Sequence, residues 1–258
     1  MNLIQLTEKV VPIAIEAGIK IMEIYNASNF QVEYKEDNSP LTIADKASNA
    51  ILNARLTVLT PHIPIISEEN DEIPYNVRKD FEYCWLLDPL DGTKEFVARN
   101  GDFAVNVALI HHGKPILGII YVPVFDIIYY GIKNEGSFKI ERNFKTKIMC
   151  NTFNINDLGL RVPVSRSSLN EATQALIARY NAPVLMPKGS ALKFMNIAEG
   201  SADIYPRIGT TMEWDTAAPQ IIVEEAGGKI LNRETKEPLI YNKPDLKNPD
   251  FVAMGIIL

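Results

Sequence analysis

Apolar residues open the chain at three- and four-residue steps. Leu3, Leu6, Val10, Ile13, Ala14, Ala17, Ile21 and Ile24 fall on one helical face and predict a helix over Leu3–Tyr25. After a polar stretch from Lys35 to Pro40, the spacing returns in Ile43, Ala47, Ile51, Ala54 and Val58, predicting a second helix over residues 42–59 with Thr42 as a candidate cap. Pro61 and Pro64 break the pattern, and residues 63–66 read as a short strand leading into Ser67-Glu68-Glu69. Tyr83-Cys84-Trp85-Leu86-Leu87 is apolar without alternation, the mark of a strand buried on both faces. It stops at Asp88-Pro89-Leu90-Asp91-Gly92-Thr93, which reads as a rigid turn.

Strand-like runs at residues 103–110, 116–122, 127–132 and 136–140 follow, separated by short Gly, Pro or His turns, and suggest an antiparallel meander. Near residue 150 the pattern changes. Strand-like pieces at 161–164, 184–186, 202–205 and 251–257 alternate with helical stretches at 169–180, 191–199 and 216–225. The expectation is an α/β (α+β) protein whose two halves, residues 1–150 and 151–258, form one unit around a shared cleft.

Composition narrows the function. With 47% hydrophobic and 22% charged residues, the 258-residue chain has the means to build a core and is not a disordered or low-complexity sequence. Its 26 Lys and Arg against 32 Asp and Glu give a charge of −6, which argues against nucleic acid or anionic lipid held by bulk attraction. A phosphate-bearing ligand must therefore be held locally. Cys84 and Cys150 are distant and form no metal-binding spacing, as expected in a reducing cytoplasm. The first residues lack a basic segment followed by an apolar run, so no signal peptide is expected, and Pro123 and Asp126 interrupt the run at 116–130 that comes nearest to a membrane span.

Three acidic segments stand out. Asp88-Pro89-Leu90-Asp91-Gly92-Thr93 places two carboxylates at the rim of a core, beside a glycine that lets backbone amides approach an anion and a threonine hydroxyl. Glu68-Glu69 follows another short strand; by itself it is an ordinary acidic loop continued by Asp71 and Glu72. Asp215, in Glu213-Trp214-Asp215-Thr216-Ala217-Ala218-Pro219, is a natural N-cap for the helix running toward Gly227-Gly228. If Glu68, Asp88, Asp91 and Asp215 converge, each like-charged pair about 4 Å apart costs about 4 kcal/mol at an effective dielectric of about 20. Divalent cations remove that penalty. An all-oxygen set selects hard ions, Mg²⁺ first and Mn²⁺ as a substitute, and the metallated cluster then becomes an anion site.

The segment from Asp88 to Phe96, together with Ser67-Glu68-Glu69 and Trp214-Asp215-Thr216-Ala217-Ala218, resembles the inositol monophosphatase superfamily of Mg²⁺-dependent, Li⁺-sensitive phosphatases. Further motifs resemble its 3′(2′),5′-bisphosphate nucleotidases of the CysQ type: Asn38-Ser39-Pro40-Leu41-Thr42-Ile43-Ala44-Asp45, Lys94-Glu95-Phe96, Gly189-Ser190-Ala191-Leu192-Lys193-Phe194, Leu239 and Asn248-Pro249. The resemblance spans the whole chain in order. It implies a layered αβαβα sandwich with two or three Mg²⁺ in a cleft, ligated by Glu68, Asp88, Asp91, Asp215 and the Leu90 carbonyl. Glu68, Thr93 and Asp45 are the implied catalytic residues, Thr93 and Asp45 orienting the attacking water and Asp45 taking its proton; without the resemblance, Asp45 is a polar residue in a helix's first turns.

The implied reaction removes the 3′-phosphate of adenosine 3′,5′-bisphosphate, or of its sulfated precursor, by attack of a metal-activated water. Hydrolysis of phosphate monoesters calls for accelerations up to about 10²¹-fold, and two cations about 3.5–4 Å apart can spread the transition-state charge. Gly92 and Thr93 amides would hold the phosphoryl oxygens. Gly189, Ser190, Lys193 and Arg207 are the implied residues of the 5′-phosphate side, although on spacing alone Ser190 is a helix cap and Lys193 a solvated lysine. Ala191 stands where many relatives carry a second serine, and Ser165-Arg166-Ser167 are further candidates. Inositol or sugar monophosphate hydrolysis is the enzymatic alternative, and a cation-binding regulatory module the non-enzymatic one. A cytoplasmic monomer or homodimer is expected, free or peripheral on the inner membrane's cytoplasmic face.

The remaining candidates are weaker. His111-His112 is expected in an exposed turn with no partner at metal spacing, Trp85 and Trp214 in the core or a cleft wall, Cys84 buried, and Glu224-Glu225 at a solvated helix end.

Overall fold

The computed structural model describes residues 1–27, 32–34, 40–167 and 169–258; residues 35–39 of the polar stretch, Asn38 and Ser39 included, lie outside the described residues. In chain order the first elements are α1 (Leu3–Tyr25), β1 (Val32–Tyr34), β2 (Pro40–Thr42), α2 (Ile43–Leu59), β3 (Ile65–Ser67), α3 (Tyr75–Arg78), β4 (Tyr83–Asp91) and α4 (Thr93–Val97). Strands β5 (Ala104–His111), β6 (Lys114–Val122), β7 (Ile127–Ile132), β8 (Gly136–Glu141), β9 (Phe144–Ile148), β10 (Thr152–Phe153) and β11 (Arg161–Ser165) follow. The chain ends with α5 (Glu171–Ile177), β12 (Val184–Lys188), α6 (Leu192–Ala198), β13 (Ile204–Arg207), α7 (Glu213–Glu225), β14 (Lys229–Asn232), β15 (Phe251–Met254) and β16 (Ile256–Ile257).

Strands β3 to β9 form one seven-stranded sheet in sequence order, β3 pairing parallel with β4 and every later neighbour antiparallel, so the expected meander is present and longer by β9. Alternate side chains along β4 and β5 sort onto two faces. Trp85, Leu87, Val107 and Leu109 pack with Val10, Ala14, Leu52 and Leu56 of α1 and α2. Cys84, Leu86, Ala108 and Ile110 pack with Ala217, Ala218, Ile221 and Ile222 of α7. Burial on both faces is why Tyr83 to Leu87 carries no polar alternation.

Helix α7 lies unusually close to the sheet. Gly118 and Gly131 are register partners in β6 and β7, and a Cβ there would stand 2.5 Å from the Ala218 carbonyl oxygen and 2.8 Å from the Ile222 Cα. The missing side chains leave a furrow that seats the helix and fixes its first turn, which carries Asp215, against the end of β4. Beyond α6 and α7 lie the sheet of order β13-β15-β14 and the parallel pair β11-β12; Ile177 of α5 packs with Val162, Val164 and Ile204 on the far side. The layers thus run α, β, α, β, α, as the resemblance implies.

The departures have local causes. Asp88-Pro89-Leu90-Asp91 is the end of a strand rather than a turn: the ladder with β5 shifts register between Asp88 and Asp91, where Pro89 has no N–H to donate. The chain turns one residue later, at Gly92. The last helix starts at Glu213, so Asp215 is its third residue and not its N-cap, which is Met212. The piece at 251–257 is divided by Gly255 into β15 and β16, and the helix expected over 169–180 is trimmed to Glu171–Ile177 with Asn170 capping it.

Candidate active site

Three elements deliver carboxylates to one place. The Glu68 N–H donates to the Leu87 carbonyl at 3.1 Å, continuing the parallel β3–β4 pairing and setting Glu68 beside Asp88. Asp88 is 2% exposed, and its Oδ1 accepts the Leu90 N–H at 3.0 Å across the register shift. Asp215 holds itself on α7 by accepting the Met212 N–H at 2.8 Å. Carboxylate oxygens of Glu68, Asp88 and Asp215 lie within 4.8 Å of one another. Burial, reinforced by Glu68, Asp91 and Asp215, holds the Asp88 carboxyl well above the ordinary carboxylate range; burial, with Asp91 and Glu68, does the same to Asp215. Asp91 thus completes the group felt by both. Oxygen-only, mutually repelling and with Asp88 buried among half-buried partners, the set has the chemistry of a hard-cation site.

Asp45 and Thr93 meet beside it. Asp45 is the third residue of α2, where its Oδ2 accepts the Thr42 N–H and hydroxyl, both at 2.7 Å, in a capping box. Its Oδ1 is left to face Thr93, whose hydroxyl lies 3.1 Å away and 3.2 Å from the Leu90 carbonyl oxygen. Asp45 is 2% exposed, and this burial raises its pKa. Gly92 adopts φ +95°, a backbone state glycine favours, and a Cβ there would crowd the Asp102 carbonyl at 3.0 Å and Ser190 Cβ at 3.1 Å.

The carboxylates line a cavity of about 450 Å³ together with Ser190, Lys193, Tyr205 and Arg207, so its lining has an acidic part and a cationic part. Lys193 is not the solvated lysine its spacing suggests. It is 7% exposed, donates to the Ser190 carbonyl at 2.7 Å, and burial pulls its pKa down to about 8. Nor is Ser190 a helix cap: Ala191 holds that place, and Ser190 sits at φ +51°. Ser190 Oγ and Arg207 Nε are buried without a hydrogen-bond partner among the described residues. Ser165 and Ser167 also line the cavity, whereas Arg166 turns to Asp102.

Two residues at the site, Asp102 and Asn106, escaped the sequence reading, and Glu95 entered it only within the Lys94-Glu95-Phe96 motif. Asp102, 2% exposed, accepts the Gly189 N–H at 3.1 Å and Arg166 Nη2 at 2.8 Å. Glu95 accepts the Ser167 hydroxyl at 2.8 Å, tying α4 to the β11 end. Asn106 donates to Asp91 Oδ2 at 3.1 Å. Of Asp102 and Asn106, only Asn106 carried a local signal, as the one polar residue in the apolar run from Ala104 to Ile110.

The weaker candidates divide. His111 and His112 do have a partner at metal spacing, since Glu82 joins them within 4.8 Å, but the cluster sits at an exposed strand end away from the cavity. Trp85 is buried, with Nε1 donating to Thr60 Oγ1 at 2.9 Å, and half-buried Trp214 borders a second cavity beside Glu68. Cys84 and Cys150 are free and buried, which pushes both thiols up to about 12. Glu224 and Glu225 are half-buried, not simply solvated, and Glu225 accepts the Asn134 and Gly136 N–H groups at 2.8 and 2.9 Å.

A carboxylate cluster at a strand–helix junction, set between the central sheet and the helices of an αβαβα sandwich, defines a class. The inositol monophosphatase family matches residues 2–254, and the chain belongs to that family. Within it, the chain is 43% identical over 227 residues to the 3′(2′),5′-bisphosphate nucleotidase CysQ of Buchnera aphidicola, covering 88% of this chain and 84% of that protein. It is 39% identical over 249 residues to CysQ of Escherichia coli strain K12, covering 95% and 97%. The crystal structure of CysQ from Bacteroides thetaiotaomicron superposes with a TM-score of 0.84 at 35% identity, over 97% of each chain.

Proposed function

We propose that this chain is a Mg²⁺-dependent 3′(2′),5′-bisphosphate nucleotidase that hydrolyses the 3′-phosphate of adenosine 3′,5′-bisphosphate to give AMP and phosphate. The observation that carries this reading is the mixed lining of the cavity: mutually repelling carboxylates in one part, a buried ammonium with an unpartnered hydroxyl and guanidinium nitrogen in the other. A ligand with two phosphates separated by a ribose matches that lining, and the activity named for the CysQ relatives supports it.

Glu68, Asp88, Asp91 and Asp215, with the Leu90 carbonyl, would hold two or three divalent cations, Mg²⁺ or in its place Mn²⁺. When bound, such ions neutralise the phosphoryl oxygens and lower the pKa of the attacking water. Thr93, donating its hydroxyl to Asp45 Oδ1, keeps a lone pair to orient that water. Asp45, which burial makes more basic than an ordinary carboxylate, takes the proton. The Gly92 and Thr93 amides receive the phosphoryl oxygens, while Lys193, Ser190 and Arg207, with Gly189 shaping the turn, take the 5′-phosphate. A cytoplasmic location belongs to the same reading, supported by the two free cysteines; no helix among the described residues is long and apolar enough to cross a membrane.

The test is phosphate release from adenosine 3′,5′-bisphosphate and from inositol 1-phosphate, with and without Mg²⁺, by the wild type and Asp91→Asn. Mg²⁺-dependent release from the nucleotide, lost in the variant, is expected. Preference for the inositol ester would overturn the substrate, and silence on both would overturn the activity.

A further inference from the structure

We propose that Asn106 is a positioning residue for Asp91, holding one carboxylate oxygen so that the other is presented to a cation; this rests on the reading of Asp91 as a metal ligand given above. Asn106 lies in β5 between Val105 and Val107 and is 1% exposed. A buried amide in an apolar strand is unfavourable unless its polar atoms are bonded. Only one of them is: Nδ2 donates to Asp91 Oδ2 at 3.1 Å, while Oδ1 is buried with no partner among the described residues. An ionised carboxylate can only accept, so the amide must present its nitrogen to Asp91. The fold gains little from this side chain, whose single bond is spent on Asp91.

Asp91 Oδ2 accepts a second donor, the Ala191 N–H at 2.7 Å. Two N–H groups on one oxygen, one from the large sheet and one from the turn before α6, fix the rotation of the carboxylate and leave Oδ1 as the oxygen for a cation. Asn106 is also the register partner of Asp88, so it faces a second carboxylate of the same group without adding charge. Ligating carboxylates are themselves held by hydrogen bonds, and loss of such a bond typically weakens metal affinity about 10- to 100-fold.

Mn²⁺ binding without substrate, followed by electron paramagnetic resonance, and thermal melting of the metal-free protein separate this role from a structural one. Asn106→Val removes the donor while suiting the strand, and Asn106→Leu covers the case in which valine leaves too large a gap. The expected result is an Mn²⁺ Kd raised about 10- to 100-fold, a metal-free melting temperature at or above the wild type, and an unchanged KM for adenosine 3′,5′-bisphosphate at saturating Mn²⁺. Wild-type affinity in either folded variant overturns the proposal. So does a lowered metal-free melting temperature, or failure of both variants to fold, because the residue is then structural. Absence of Mn²⁺ binding in the wild type, or binding unaffected by Asp88→Asn, overturns the metal-site reading instead.

Discussion

The two parts of the cavity lining pose opposite electrostatic problems. In one part Asp88 and Asp215 are pushed toward their neutral forms by burial and by one another's neighbours. In the other, burial pulls the Lys193 ammonium toward its neutral form, although Asp91, Glu95 and Asp102 oppose that and Arg207 adds to it. Each part is uncomfortable at neutral pH in the absence of ligand, and each is relieved by the opposite charge: cations at the first, a phosphate at the second. Such perturbed groups mark sites that give up stability for function.

Asp88→Asn gives the largest test of the contrast. The amide keeps the shape and the Leu90 N–H contact but removes a buried charge from a repelling group. Turnover is expected to fall by about 10²- to 10³-fold, on the scale of removing one preorganised charge-stabilising group. The metal-free protein should nevertheless gain about 1–2 kcal/mol, read as a melting temperature raised by about 2–8 °C at about 2–4 °C per kcal/mol. A variant that loses activity and melts lower would mean that Asp88 is part of the scaffold.

Lys193→Met tests the other part. A hydrogen bond to a charged group is worth about 1.5–3 kcal/mol, so kcat/KM for adenosine 3′,5′-bisphosphate should fall about 10- to 100-fold. An adenosine 3′-monophosphate, which has no second phosphate, should be hydrolysed by the variant as by the wild type. Because the ammonium is lost near pH 8, KM for the bisphosphate should rise above that pH in the wild type and stay flat in Lys193→Met. Equal losses on both substrates would erase the distinction between the two parts.

Stability against pH shows the two parts acting with opposite sign. Asp88 and Asp215 have raised pKa values in the folded state, so their contribution is fully present below the ordinary carboxylate pKa and is lost as pH rises through the folded values. Lys193 has a lowered one, so its contribution is present above about 10.5 and lost as pH falls through about 8. Metal-free protein should therefore melt progressively lower from acid toward neutral pH and recover toward alkaline pH in a way that Lys193→Met abolishes. Saturating Mg²⁺ at 100 times its Kd should add about 2.7 kcal/mol near neutral pH. A melting temperature insensitive to Mg²⁺ would remove the reason for the carboxylate cluster.

What the sequence made legible follows the same division. The acidic part was readable because its residues lie in compact segments at strand and helix ends, where Asp88, Asp91 and Asp215 stand out against apolar flanks. The cationic part was only half readable. Spacing suggested a capped helix and a solvated lysine, because nothing local reveals that Lys193 is covered by Tyr205, 5.7 Å from its ring, or that Ser190 takes a left-handed turn. The role of Asp102 and the contact made by Glu95 were invisible for a related reason: their partners Gly189, Arg166 and Ser167 are more than sixty residues away in the chain. The meander and the two framing helices could be read from periodicity, but the close seat of α7 could not, since it depends on Gly118 and Gly131 meeting across two strands. Asp88-Pro89 read as a turn because proline and aspartate favour turns, while the structure uses the missing proline N–H to open a ladder within a strand.

The smallest expected effect sharpens the acidic part alone. Thr42 caps α2 and, through its N–H and hydroxyl, holds Asp45 Oδ2, leaving Oδ1 for Thr93. Thr42→Ala removes the hydroxyl but keeps the N–H, so it should cost about 1 kcal/mol of stability, as lost caps do. If Asp45 serves only α2, turnover should follow the folded fraction and nothing more. If it takes the proton from the attacking water, loss of one donor raises its pKa further, and the acidic limb of the pH–rate profile should shift to higher pH while the Mg²⁺ requirement stays as it was. Thr42→Ser, which restores the hydroxyl, should return both the melting temperature and the pH profile. An unmoved profile in Thr42→Ala, beside the expected loss of stability, would confine Asp45 to capping and leave the acceptor of the proton elsewhere in the cavity.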